Sequence, residues 1–76
     1  MVDMYVLVVC DLLHTAEITS KLRTLDGVKE VHMLNGVYDI LVNISATSLE
    51  GLEHVYSKSR QIPGIRTTLT LVGYTK

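Results

Sequence analysis

Two five-residue stretches, Leu25-Asp26-Gly27-Val28-Lys29 and Ile62-Pro63-Gly64-Ile65-Arg66, align at an offset of 37 residues, and the same offset carries Leu34 onto Leu71 and Gly36 onto Gly73. Each stretch follows a segment with helical apolar spacing and opens one rich in strand formers, so each joins a helix to a strand. In a chain of 76 residues, two such units make one domain with an internal repeat.

The elements follow outward from these junctions. Met4 to Cys10 is short, apolar and β-branched, which predicts a strand buried on both faces. The polar stretch Asp11 to Glu17 breaks it, and Ile18, Leu22 and Leu25 then recur at helical spacing. Thr15 is the expected N-cap, Glu17 lies in the first turn and Gly27 is the stop. Val28 to Leu34 predicts a second strand, Asn35-Gly36 a tight turn and Val37 to Ile44 a third strand, the last two strands forming a hairpin. Thr47-Ser48-Leu49-Glu50 resembles a capping box opening a second helix, with Leu49, Leu52, Val55 and Tyr56 on one stripe. Gly51 weakens its first turn by about 1 kcal/mol. Pro63-Gly64 ends this helix, and Ile65 to Val72 forms a last strand. The order is βαββαβ. Two interleaved right-handed units of this kind give an α+β, ferredoxin-like fold: a four-stranded antiparallel sheet with both helices on one face.

Helices cover one face of such a sheet, yet the first strand is apolar on both, and Val31, Met33, Leu41 and Val72 add apolar positions opposite or beside the helix-packed ones. A domain this short buries only about 60% of its unfolded surface, so association is a common supplement to one small core. The economical cover for the second face is the same sheet of a second subunit, which predicts an obligate dimer assembled further.

Composition narrows the function classes. A 47% apolar, 20% charged chain is globular, and seven Lys/Arg against eight Asp/Glu leave a formal charge of −1. That balance lacks the basic excess of a backbone-driven nucleic-acid binder, so no direct DNA or RNA contact is expected. The single cysteine, Cys10, forms no internal disulfide and fits a reducing compartment, either as a small buried hydrophobe or as a reactive thiol. The longest apolar stretch is too short to span a bilayer and follows no basic leader, which gives a cytoplasmic protein as the expectation.

Catalytic and metal chemistry find little support. His14, His32 and His54 lie in the first connection, the second strand and the second helix, without metal-ligand spacing, and neither a nucleophile elbow nor a Gly-rich phosphate loop is present. No cofactor is expected. His32 and Asp39 flank the hairpin and could pair as a dyad, or stand as separate polar groups. Gly36 to Asp39 says more. Gly36 can take positive φ and leave backbone N–H groups free, while Tyr38 and Asp39 add a stacking surface, a hydroxyl and an anionic acceptor. Together they could grip a small zwitterion. The alternative is structural: Asn-Gly as a turn, Tyr38 packed at the sheet end and Asp39 capping a loop.

From Leu22 to Val72 the chain resembles the RAM domain, the effector-binding domain of the Lrp/AsnC family of transcriptional regulators. The resemblance runs through Leu-x-x-Leu-Asp-Gly-Val-Lys-Glu-Val, Asn-Gly-Val-Tyr-Asp-Ile-Leu-Val and Ile-Pro-Gly-Ile-Arg-Thr-Thr-Leu-Thr-Leu-Val, in that order. It implies a ferredoxin-like domain that dimerises through its sheets as a dimeric α/β barrel and joins dimers into octamers or related rings, with small-molecule sites between dimers. The family's Gly-x-Tyr-Asp turn falls here on Gly36, Tyr38 and Asp39, with Val37 contributing its backbone. Its last-strand hydroxyl pair falls on Thr68 and Thr70, which otherwise read as strand formers. Two departures stand out. The first strand begins within a few residues of Met1, leaving no room for the DNA-reading helix-turn-helix domain, so residues 1–76 are expected to be one stand-alone RAM domain. The usual Pro-Gly after the first strand is replaced by Leu12-Leu13-His14-Thr15.

These readings predict a non-enzymatic module that binds an amino acid, oligomerises and acts through a partner, with a full-length Lrp/AsnC-type regulator as the candidate. The competing reading is a small dimeric α/β-barrel enzyme of the monooxygenase or isomerase type, with His32 inside the barrel. A third, an ACT-like amino-acid-binding domain, differs mainly in how its sheets pair.

Overall fold

The computed structural model describes residues 2–74. Its elements run β1 (Val2–Cys10), a 3-10 turn (Leu12–His14), α1 (Thr15–Arg23), β2 (Val28–Met33), β3 (Ile40–Ala46), α2 (Leu49–Arg60) and β4 (Ile65–Tyr74). The expected βαββαβ order and ferredoxin-like fold are present. All strand pairs are antiparallel and the spatial order is β2-β3-β1-β4.

Period-2 alternation sets the layers. Val2, Met4, Val6, Val8 and Cys10 of β1 and Ile40, Val42 and Ile44 of β3 point to one face, where they pack with Ile18 and Leu22 of α1 and Leu52 and Val55 of α2. Register assigns the other apolar positions. Val31 lies opposite Val42 and is buried in this same core, while Met33 pairs with Ile40 and Val72 with Met4, so all three belong to the helix-side layer and not to the opposite face. The opposite face carries Tyr5, Leu7 and Val9 of β1, Leu41 of β3 and Leu69 and Leu71 of β4. Tyr5, Leu69 and Leu71 are 42%, 45% and 56% exposed there.

The internal repeat is visible in three dimensions. Gly27 and Gly64 lie in the turns that follow α1 and α2, past their caps Thr24 and Gln61, and have φ of +96° and +99°, which glycine adopts readily; Gly27 O accepts from Ser45 N at 2.9 Å as Gly64 O accepts from Asp11 N at 3.1 Å. Each glycine also faces the helix of the other half: a Cβ on Gly27 would lie 2.7 Å from Val55 Cγ2 of α2, and one on Gly64 would lie 3.0 Å from Ile18 Cδ1 of α1. Immediately beyond each glycine the ladder skips one residue, Lys29 in β2 and Arg66 in β4, so both halves place a cation on a β-bulge.

The caps differ from the sequence expectation. Thr15 lies inside α1; the preceding turn is capped by Asp11, whose Oδ1 accepts from Leu13 N at 3.2 Å. Ser48, not Thr47, caps α2, accepting from Gly51 N at 3.1 Å, which places Gly51 where a capping box needs Glu50. The hairpin is also wider: Leu34 to Asp39 connects β2 to β3, β3 starts at Ile40 instead of Val37, and Gly36 lies outside the positive-φ region. Hydrogen bonding explains the longer loop. Asp39 is held by its own N–H donating to Val8 O at 2.8 Å and its carbonyl accepting from Leu34 N at 2.7 Å, which closes the loop two residues later than a tight turn would.

Candidate functional site

The β2–β3 loop and the connection after β1 meet at one end of the sheet. Between them lies a cavity of about 430 Å3 lined by Val9, Cys10, Asp11, Leu12, Gly36, Val37, Asp39 and Arg66. Its charged groups come from three places in the chain. Asp39 ends the loop and its Oδ2 accepts from Cys10 N at 2.9 Å, so this carboxylate also ties the loop to β1. Asp11 caps the 3-10 turn. Arg66 sits on the β4 bulge, and its guanidinium makes no ion pair or hydrogen bond among the described residues. Two carboxylates and one guanidinium around one hollow are the complement of an α-amino acid, whose carboxylate suits Arg66 and whose ammonium suits the acidic pair.

Of the six residues expected from the sequence, Gly36, Val37 and Asp39 line this cavity. Tyr38 is half-buried beside it without lining it. Thr68 and Thr70 lie on the helix-side layer of β4, opposite Val8 and Val6. Thr68 lines a second hollow of about 270 Å3 with Tyr56, Arg60, Ile65, Arg66 and Thr67. There its Oγ1 shares a 2.7 Å hydrogen bond with Tyr56 Oη. Arg66 and Asp11 were missed by sequence reading. Asp11 carries a turn signal only, and Arg66 is one of several strand cations until the bulge singles it out.

The rim is apolar and open to water: Leu12, Leu13 and Val37 are 78%, 89% and 85% exposed. His32 does not meet Asp39. It lies opposite Leu41 on the uncovered sheet face, with its Nε2 3.8 Å from Glu30 of the same strand, while the Asp39 carboxylate turns to β1. Among the described residues no group of His, Cys, Asp and Glu could hold a metal ion, and no helix is long and apolar enough to cross a membrane.

Comparison with known proteins agrees with this architecture. The family model described as the Lrp/AsnC ligand binding domain matches residues 3–74. A hypothetical protein from Pyrococcus horikoshii superposes with a TM-score of 0.91 at 28% identity, covering 100% of this chain and 93% of that one. Escherichia coli AsnC superposes with a TM-score of 0.87 at 26% identity, covering 99% of this chain and 52% of AsnC. Among curated proteins, homocitrate synthase of Saccharolobus islandicus is 36% identical over 70 residues, which span 91% of this chain but 15% of that enzyme. Fold, order of elements and family match agree, and the chain belongs to the Lrp/AsnC ligand-binding-domain family.

Proposed function

We propose that this domain is a non-enzymatic sensor that binds an amino acid in the cavity between Asp39 and Arg66 and transmits occupancy through its own assembly. The observation that carries the reading is the charge content of that cavity: Asp11, Asp39 and Arg66 line it together with Gly36 and Val37. A second copy seated on Tyr5, Leu7, Leu41, Leu69 and Leu71 covers the open sheet face, and rings of such dimers, octamers among them, bring the exposed Leu12, Leu13 and Val37 rims together. An effector favouring one assembly over another shifts the balance by its difference in affinity for the two. The partner that reads the shift is a cytoplasmic Lrp/AsnC-type regulator of transcription.

A second reading keeps the site and changes the partner. The match to a segment of homocitrate synthase supports a module that governs a biosynthetic enzyme instead of a regulator. The experiment common to both is a panel of the twenty amino acids, read by thermal shift and by light scattering. A ligand that raises Tm and alters mass supports sensing; no response from any member in either readout overturns it. Co-purification with a DNA-binding regulator or with an enzyme then separates the two partners.

A further inference from the structure

The smaller hollow between α2 and β4 has a different chemistry from the effector cavity. Its lining supplies two guanidinium groups, Arg60 and Arg66, three hydroxyls, Tyr56, Thr67 and Thr68, and one apolar residue, Ile65, with no carboxylate. Three other cavities on the described residues each include acidic groups: Asp11 and Asp39 in one, Asp11 and Glu17 in another, Asp26 in the third. A site that concentrates cations and hydroxyl donors selects negative charge.

The guanidiniums are held there for identifiable reasons. Arg60 lies over the Tyr56 ring, with Cζ 5.7 Å from its centroid, an attraction that holds the guanidinium near the hollow while its N–H groups can still donate. Tyr56 is itself anchored by its 2.7 Å bond to Thr68. Arg66 is the extra residue of the β4 bulge, and a bulge re-aims the side chain it carries. Offsetting the carbonyl end of α2 accounts for Arg60 alone, since that helix ends there; it does not account for Arg66.

We propose that this hollow is a second binding site, adjoining the effector cavity and sharing Arg66 with it, that takes a compact oxyanion between Arg60 and Arg66. At about 270 Å3 it is smaller than the roughly 300–1,000 Å3 of drug-sized pockets, which favours a small anion over an extended ligand. Phosphate and a short dicarboxylate share the required chemistry: several oxygens able to accept from two forked donors at once.

The full chain is titrated with inorganic phosphate and, separately, with succinate, at constant ionic strength, against sodium chloride, following binding heat and the Arg side-chain N–H resonances. Saturable binding that moves the Arg60 and Arg66 resonances, and that weakens about tenfold or more in R60Q and again in R66Q, is the expected result. Response to phosphate alone identifies the tetrahedral ion as the ligand, and response to succinate alone the carboxylate. No saturable binding of either, or binding equal in wild type and both variants, overturns the proposal. Both arginines are exposed, so the variants keep the fold. Arg60 lies outside the effector cavity, so R60Q run through the amino-acid panel separates the two sites: loss of the anion with the amino-acid response intact belongs to this hollow alone.

Discussion

Asp39 performs two tasks that one substitution can separate. Its Oδ2 satisfies the part-buried N–H of Cys10, and its other oxygen remains available to the cavity. Asp39→Ala leaves that N–H without a partner and should cost about 1–3 kcal/mol in denaturant titration. Asp39→Asn keeps an acceptor for Cys10 while removing the negative charge, so it should stay within about 1 kcal/mol of wild type yet abolish the amino-acid response. If both variants lose stability equally, the charge and not the acceptor holds the loop. Composition and spacing pointed to Asp39 as a polar group at a turn; the bond to Cys10, 29 positions away in sequence, depends on strand pairing that no local pattern encodes. Arg66 was hidden for the same reason, because a skipped ladder position is a property of two strands together.

At the scale of single elements, sequence reading was strongest where periodicity or a hinge glycine spoke, and weakest where short polar residues compete for one cap. Gly27 and Gly64 were expected to stop helices, but α1 and α2 already end at Arg23 and Arg60, and the glycines take positive φ in the turns that follow, where the chain enters the next strand. Thr15 and Thr47 were expected as caps, but α1 begins after His14, which makes no side-chain cap bond, and α2 after Ser48, because a hydroxyl signal does not place a helix start to within a residue. The glycines give a graded prediction. Gly64→Ala should cost about 1–2 kcal/mol, chiefly from the left-handed backbone with a milder contact of its Cβ to Ile18 at 3.0 Å, and Gly27→Ala more, since its Cβ meets Val55 at 2.7 Å; equal losses in thermal melts would refute the added steric part. On α1, Glu17 lies 3.2 Å from Lys21 Nζ and 3.7 Å from His14 Nδ1. The hydrogen bond and charge of Lys21, with a smaller contribution from His14, hold its carboxyl below the usual glutamate value. A depressed carboxylate stabilises the fold above its unfolded pKa, and that contribution disappears as pH falls through the folded value. Glu17→Gln should therefore lower stability slightly near neutrality and not in acid, with the difference shrinking in high salt.

For the whole molecule, the decisive feature is the sheet face the helices leave open. Its existence was legible in the apolar β1, but its membership was not: of the four residues named from the other strands, Leu41 alone lies there, because register assigns Val31, Met33 and Val72 to the helix side. Leu71→Glu places a charge amid Tyr5 and Leu69 without touching the helix-packed core, so if the proposed sheet-to-sheet dimer forms, the variant should be monomeric while far-UV circular dichroism stays unchanged. An unchanged mass in light scattering would overturn the sheet-to-sheet dimer.

The crossed glycine contacts have a consequence for how the protein comes apart. The turn after α1 rests on α2 and the turn after α2 rests on α1, while β1 and β3, one from each half, are paired at the centre of the sheet. Neither half can open without exposing the seat of the other. Amide protons in β1 and β3 should therefore exchange with one common opening free energy, as a single cooperative unit, and a chain cut between β2 and β3 should recover structure only when both fragments are mixed.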